Sequence, residues 1–282
     1  MKRVIGELEE KNLAERIAEY VLARRNEDGG YTSVQFVESN IHDTFLALAI
    51  LKEINVEPPH VKQTINFLRS FPLLDLRSIY YVNKSLKILK EPLIDATEFI
   101  TSIKNKDGGF GTLNIYLESS SEIETTYMAI DLLKMLDKTI ADKEKTIGFI
   151  LSLKNPDGGF GKSLNSNIVS TYYAVSTLDL LEYDIDKLEE TKKYVTSCES
   201  EIGGFAPKPL AEPPFIEYTY FGVMALKLFK LKPKSSAKTT SFIFNCLNSN
   251  GGFRRSSEHG ISSFEYTYYA ISVLKELGVN II

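Results

Sequence analysis

Six stretches of the chain are apolar on nearly every helical face. They are "DTFLALAILKEI" (43–54), "SIYYVNKSLKIL" (78–89), "TTYMAIDLLKML" (125–136), "STYYAVSTLDLL" (170–181), "YTYFGVMALKLF" (218–229) and "YTYYAISVLKEL" (266–277). Such a pattern predicts helices that are buried on most faces. Aligned on Thr44, Ile79, Thr126, Thr171, Thr219 and Thr267, they recur at steps of 35, 47, 45, 48 and 48 residues. More one-sided patterns precede them, as in "ELEEKNLAERIAEYVLARR" (7–25), "TIGFILSLK" (146–154) and "TTSFIFNCL" (239–247), and these predict amphipathic helices. No alternating strand pattern competes with either set.

A glycine pair followed by an aromatic separates the two kinds of helix: Gly29-Gly30-Tyr31, Gly108-Gly109-Phe110, Gly158-Gly159-Phe160, Gly203-Gly204-Phe205 and Gly251-Gly252-Phe253. The intervals are 79, 50, 45 and 48 residues, and the long first one hides a copy at "SFPLLDLRS" (70–78), where Pro72 breaks the chain instead. A fixed period in the forties marks a repeat architecture. Each unit therefore reads as an outer amphipathic helix, a left-handed glycine cap and an inner apolar helix. Six units predict an all-α domain of twelve helices spanning 1–282. A phosphate loop is excluded, because that motif needs a preceding strand and another glycine spacing.

Composition adds exclusions. A net charge of −4 and a pI near 5.6 give no reason to expect nucleic acid. The N-terminal "MKRVIGELEEK" turns polar too soon for a signal peptide, and no apolar run reaches membrane-spanning length, so a cytoplasmic protein is expected. Cys198 and Cys246 each stand five residues before a glycine pair, where other copies carry Ile103 and Leu153, and read as small core residues.

Helix, GG-aromatic turn and helix repeated six times resembles the α/α toroid superfamily of protein prenyltransferase β subunits and type II terpene (squalene) cyclases. The likeness runs from about residue 7 to 278, and "NPDGGFG" looks like the prenyltransferase turn. It implies a closed α6-α6 barrel whose inner helices line a cavity; a straight solenoid would leave terminal apolar faces uncovered. Prenyltransferases hold zinc with an Asp and a Cys in one phrase and a His in another. Those phrases fall here on "FIEYTYF" (215–221) and "SFEYTYY" (263–269), which put Phe215, Glu217 and Tyr266 in the three ligand positions. Zinc is not expected. The cyclases' D-x-D-D and the D-D-x-x-D of other terpene synthases are also missing, the nearest phrase being "YDIDK" (183–187).

In the register of the zinc-site helix, one level carries His42, Arg77, Glu124, Val169, Glu217 and Glu265. Glu124, Glu217 and Glu265 read either as a divalent-ion site, Mg²⁺ for instance, that would hold a diphosphate, or as helix-start residues complementing the dipole. One turn on stand Leu46, Tyr81, Met128, Tyr173, Phe221 and Tyr269, with Tyr218 and Tyr266 alongside; the resemblance implies a lining for a prenyl chain at this level, and the other reading is that the rings fill the barrel as core. Asp131 stands where other inner helices have Ser176, Met224 and Ser272; it reads as a catalytic acid or as a partner for a neighbouring tyrosine. Arg254 and Arg255 follow the last glycine turn, where the resemblance implies diphosphate contacts. His259 reads as exposed. Two functions follow: an isoprenoid-handling enzyme using the carboxylates and Asp131, or a noncatalytic toroid that binds a lipid, peptide or protein partner.

Overall fold

A computed structural model of the protein describes residues 12–111 and 120–282. Residues 7–11 of the first outer pattern lie outside this range. Twelve α-helices occur among the described residues, and they alternate as expected. The outer ones are α1 (Leu13–Leu22), α3 (Val61–Ser70), α5 (Thr97–Ser102), α7 (Lys143–Ser152), α9 (Glu189–Ser197) and α11 (Ser236–Asn245). The inner ones are α2 (Ile41–Glu53), α4 (Leu76–Ile88), α6 (Ile123–Met135), α8 (Ile168–Leu180), α10 (Ile216–Leu228) and α12 (Phe264–Glu276), each of 13 residues. All six begin two residues before the predicted start. Their first residue is apolar and buried (Ile41, Leu76, Ile123, Ile168, Ile216, Phe264), and Asn40, Asp75, Asn167 and Ser263 cap four of them through their side chains.

The aligned threonine explains the corner. Thr171 Oγ1 donates to the Asn167 carbonyl at 2.8 Å and accepts the Phe160 N–H at 3.0 Å. Thr44, Thr126, Thr219 and Thr267 repeat both bonds with Tyr31, Phe110, Phe205 and Phe253. The second unit has no glycine turn and hence no such N–H to satisfy, and there the position is Ile79. The turn aromatics are almost entirely buried, as are both cysteines. Burial pushes both thiols up to about 12, which fits inert core residues.

Neighbouring inner helices pack in the order α2, α4, α6, α8, α10, α12, and α12 returns to α2, so the ring is closed. The outer wall closes too. Gly251 has φ +87°, and a Cβ on it would stand 2.3 Å from the Arg16 carbonyl oxygen of α1. Only glycine permits that seam between the last turn and the first helix. The turns place the starts of all inner helices at one end of the lumen, called here the mouth; their C termini form the far end.

Candidate functional site

The inner helices present two adjacent aromatic levels to the lumen. One contains Tyr81, Tyr173, Phe221 and Tyr269, as the register predicts. The other, immediately after the aligned position, is aromatic in every unit: Phe45, Tyr80, Tyr127, Tyr172, Tyr220 and Tyr268. Sequence reasoning missed this level, although six aromatics in six copies was the stronger signal. Its rings follow one another around the barrel, with centroids 6.3 Å apart for Tyr127–Tyr172, 6.3 Å for Tyr172–Tyr220, 6.0 Å for Tyr220–Tyr268 and 6.2 Å for Tyr268–Phe45. Tyr220 and Tyr269 stack at 4.3 Å. Burial raises the hydroxyl pKa of Tyr80, Tyr127, Tyr220 and Tyr269 well above the ordinary tyrosine value, so these groups stay protonated.

The rings do not fill the barrel completely. Tyr127, Tyr172, Tyr173, Tyr220, Tyr268 and Tyr269 keep some accessible surface although they lie deep inside, as side chains bordering a cavity do. The central cavity is about 80 Å³. It adjoins a second of about 240 Å³ toward the far end, and Phe45, Lys84 and Tyr268 border both.

The mouth holds the predicted ionisable level, but not as a cluster. Arg77 donates to Glu124 Oε1 at 2.8 Å, and Arg255 pairs with Glu217 Oε1 at 2.5 Å. Glu265 accepts the Tyr269 hydroxyl at 3.1 Å, and burial raises its carboxyl pKa. His42 lies against the Tyr81 ring at 4.5 Å, and burial lowers its pKa. No three His, Cys, Asp or Glu side chains among the described residues converge to hold a metal ion. Glu124, Glu217 and Glu265 share a level on three separate helices, and each carboxylate turns to its own partner.

The positions aligned with the zinc ligands do not suit zinc either. Phe215 offers no donor atom. The Arg255 guanidinium lies 4.1 Å above its ring and bonds Glu217, so a cation–π contact and an ion pair occupy this corner. Tyr218 packs edge-on against Phe215 at 6.0 Å, and Tyr266 is half-buried nearby. Arg254 is committed elsewhere: it donates to the Asn245, Ser256 and Ser257 carbonyls and to Asn248 Oδ1, clamping its own loop. His259 is exposed, as expected.

Asp131 lies seven residues beyond Glu124 on α6, about 10 Å farther from the mouth at 1.5 Å per residue. Its Oδ2 accepts the Tyr80 hydroxyl at 2.6 Å and stands 3.6 Å from Lys84 Nζ. Both partners present donors to the Asp131 carboxylate, the geometry of an anchor. Lys84, which the sequence reading passed over, holds the equivalent position on α4 and faces Phe45 and Tyr80 at 5.8 and 5.4 Å.

With this geometry in place, the sequence matches the prenyltransferase alpha-alpha toroid domain over residues 2–74, 70–231 and 215–281. The chain belongs to that family. Solved toroids agree. Protein geranylgeranyltransferase-I from Candida albicans, complexed with GGPP, matches with a TM-score of 0.77 at 19% identity, over 94% of this chain and 91% of that one. The type II terpene cyclase MstE from Scytonema, in its apo form, matches at 0.64 and 11%, over 94% and 96%. A variant of it in complex with geranylgeranyl dihydroxybenzoate gives 0.64 and 10%, over 94% and 95%. At such identities the likeness is one of fold. No curated protein sequence matches the chain.

Proposed function

We propose that this toroid, acting as one domain, is an isoprenoid-handling protein that takes a long isoprenoid chain into its lumen. The observation that carries the reading is the aromatic lining, six rings at one level and four at the next, with accessible ring surface deep inside the barrel. Rings of this kind offer large apolar area and favourable contact with a developing cation. The toroids it resembles are described with GGPP and with a geranylgeranyl dihydroxybenzoate, which makes a geranylgeranyl chain the first ligand to try. A cavity of about 80 Å³ is below the roughly 300–1,000 Å³ usual for ligand pockets, so tyrosine rings must swing aside to admit the chain.

The chemistry differs from that of the zinc-dependent prenyltransferases, because Phe215, Glu217 and Tyr266 do not supply the Asp, Cys and His that hold their zinc. Glu265 is the better candidate for a proton-holding group, since burial favours its neutral form beside the Tyr269 hydroxyl; Asp131 anchors Lys84 and Tyr80 instead. A thermal shift on adding geranylgeranyl diphosphate and, separately, geranylgeraniol tests the reading. Both should raise the melting temperature, since a ligand of the native state stabilises it by mass action. If neither does, the lumen is a packed core, and the chain is a noncatalytic module that meets its partners on the outer wall.

A further inference from the structure

The two ends of the lumen differ in which of their cations are free. At the mouth, Arg77 is taken by Glu124, Arg255 by Glu217 and Arg254 by its own loop. Burial holds His42 toward its neutral form. An anion arriving at this level meets glutamates and arginines that are already paired or bonded to their own loop.

The far end is different. Lys52, Lys87, Lys134, Lys227 and Lys275 occupy the same register in five inner helices, eight residues after the aligned position. Three are matched by acids: Lys134 by Glu182 at 3.4 Å, Lys227 by Glu276 at 2.5 Å and Lys275 by Glu53 at 2.6 Å. Lys52 and Lys87 have no ion pair among the described residues, and both border the cavity of about 240 Å³. That cavity's own acids are already matched, Glu53 by Lys275 and Asp131 by Lys84. A lysine in a last turn offsets its helix's C-terminal dipole, roughly half a charge, so these two lysines retain about one net positive charge between them. Ile88, Met135 and the rings of Phe45 and Tyr268 make the remaining wall apolar, and the cavity runs into the lumen past Phe45 and Tyr268.

We propose that the far-end cavity is an anion site in which Lys52 and Lys87 hold the head of a ligand whose apolar stem runs into the aromatic lumen. The matching class is a phosphate, diphosphate or carboxylate on a hydrocarbon stem. The stem rests on the isoprenoid reading above; the head site stands on the cavity and its two free lysines alone. The head thus lies at the end opposite Arg77 and Arg255.

Calorimetric titration separates these statements. Inorganic pyrophosphate and geranylgeranyl diphosphate are each titrated into the parent, a Lys52→Gln/Lys87→Gln variant and an Arg77→Gln/Arg255→Gln variant. Circular dichroism confirms that all three are folded. The lysine variant should bind both probes about tenfold or more weakly, as expected for losing charge-assisted hydrogen bonds. The arginine variant should bind both as the parent does. Failure of the parent to bind pyrophosphate, or a loss confined to the arginine variant, overturns the proposal. If pyrophosphate binds through the lysines but the prenyl chain adds no affinity, the head site stands and the isoprenoid reading falls.

Discussion

Replacing Gly251 with alanine should loosen the seam that closes the ring. Two costs meet there. The left-handed backbone at φ +87° is unfavourable for any residue with a Cβ, by about 1–2 kcal/mol. The new methyl would also stand 2.3 Å from the Arg16 carbonyl oxygen, and relieving that overlap by shifting the turn or α1 costs about 1–3 kcal/mol more. The sum is a loss of about 2–5 kcal/mol. Two other glycines isolate the parts. Gly278, after α12, has φ +77° with nothing within 4 Å of its notional Cβ, so Gly278→Ala should cost the strain alone, about 1–2 kcal/mol. Gly148 lies within α7, has open space around it and no positive φ, so Gly148→Ala should stabilise by about 0.4–1 kcal/mol. Urea unfolding of the three variants at one pH gives the comparison. If Gly251→Ala costs no more than Gly278→Ala, the last turn does not abut the first helix and the ring is open.

Thr171→Val leaves the buried Phe160 N–H without its acceptor and should cost about 1–3 kcal/mol by the same assay. Because burial lowers the His42 pKa below 6.5, the unfolded chain gains a proton that the native one resists as pH falls through that value; stability should drop there, and His42→Phe should lessen the drop. Glu265 has the opposite sign: its raised folded pKa means native stability declines as pH rises from 4.5 through that raised value, and Glu265→Gln should flatten the decline in melting temperature. Mg²⁺ alone should not raise the melting temperature, since Glu124, Glu217 and Glu265 hold separate partners; a rise abolished by changing all three to Gln would restore the cluster.

The fold was legible because repetition multiplies weak local signals. One glycine pair is only a turn, but five in phase with six apolar helices leave a ring as the arrangement that covers every apolar face. Each inner helix begins two residues ahead of its apolar run because a buried apolar residue (Ile41, Leu76, Ile123, Ile168, Ile216 or Phe264) follows the cap directly. The site was only half legible. Taking the register from one family motif picked the level of Tyr173 and Tyr269 and passed over its neighbour, although an inner helix of a wide barrel turns a broad arc to the lumen and both levels face inward. The pairings of Arg77 with Glu124 and of Arg255 with Glu217 join residues 47 and 38 apart in sequence. No local pattern encodes which neighbour a long side chain will choose, so three glutamates at one level read as a cluster. Lys84 went unnoticed because a lone lysine in an apolar helix reads as solvated, whereas here it lies against two aromatic rings and Asp131.

A crystal structure of the protein grown with geranylgeranyl diphosphate decides whether an isoprenoid chain lies inside the ring. Density for the chain is expected between Tyr127, Tyr172, Tyr220 and Tyr268, with those rings turned from their present positions. Density confined to the outer wall, with the lumen tyrosines unmoved, would contradict it.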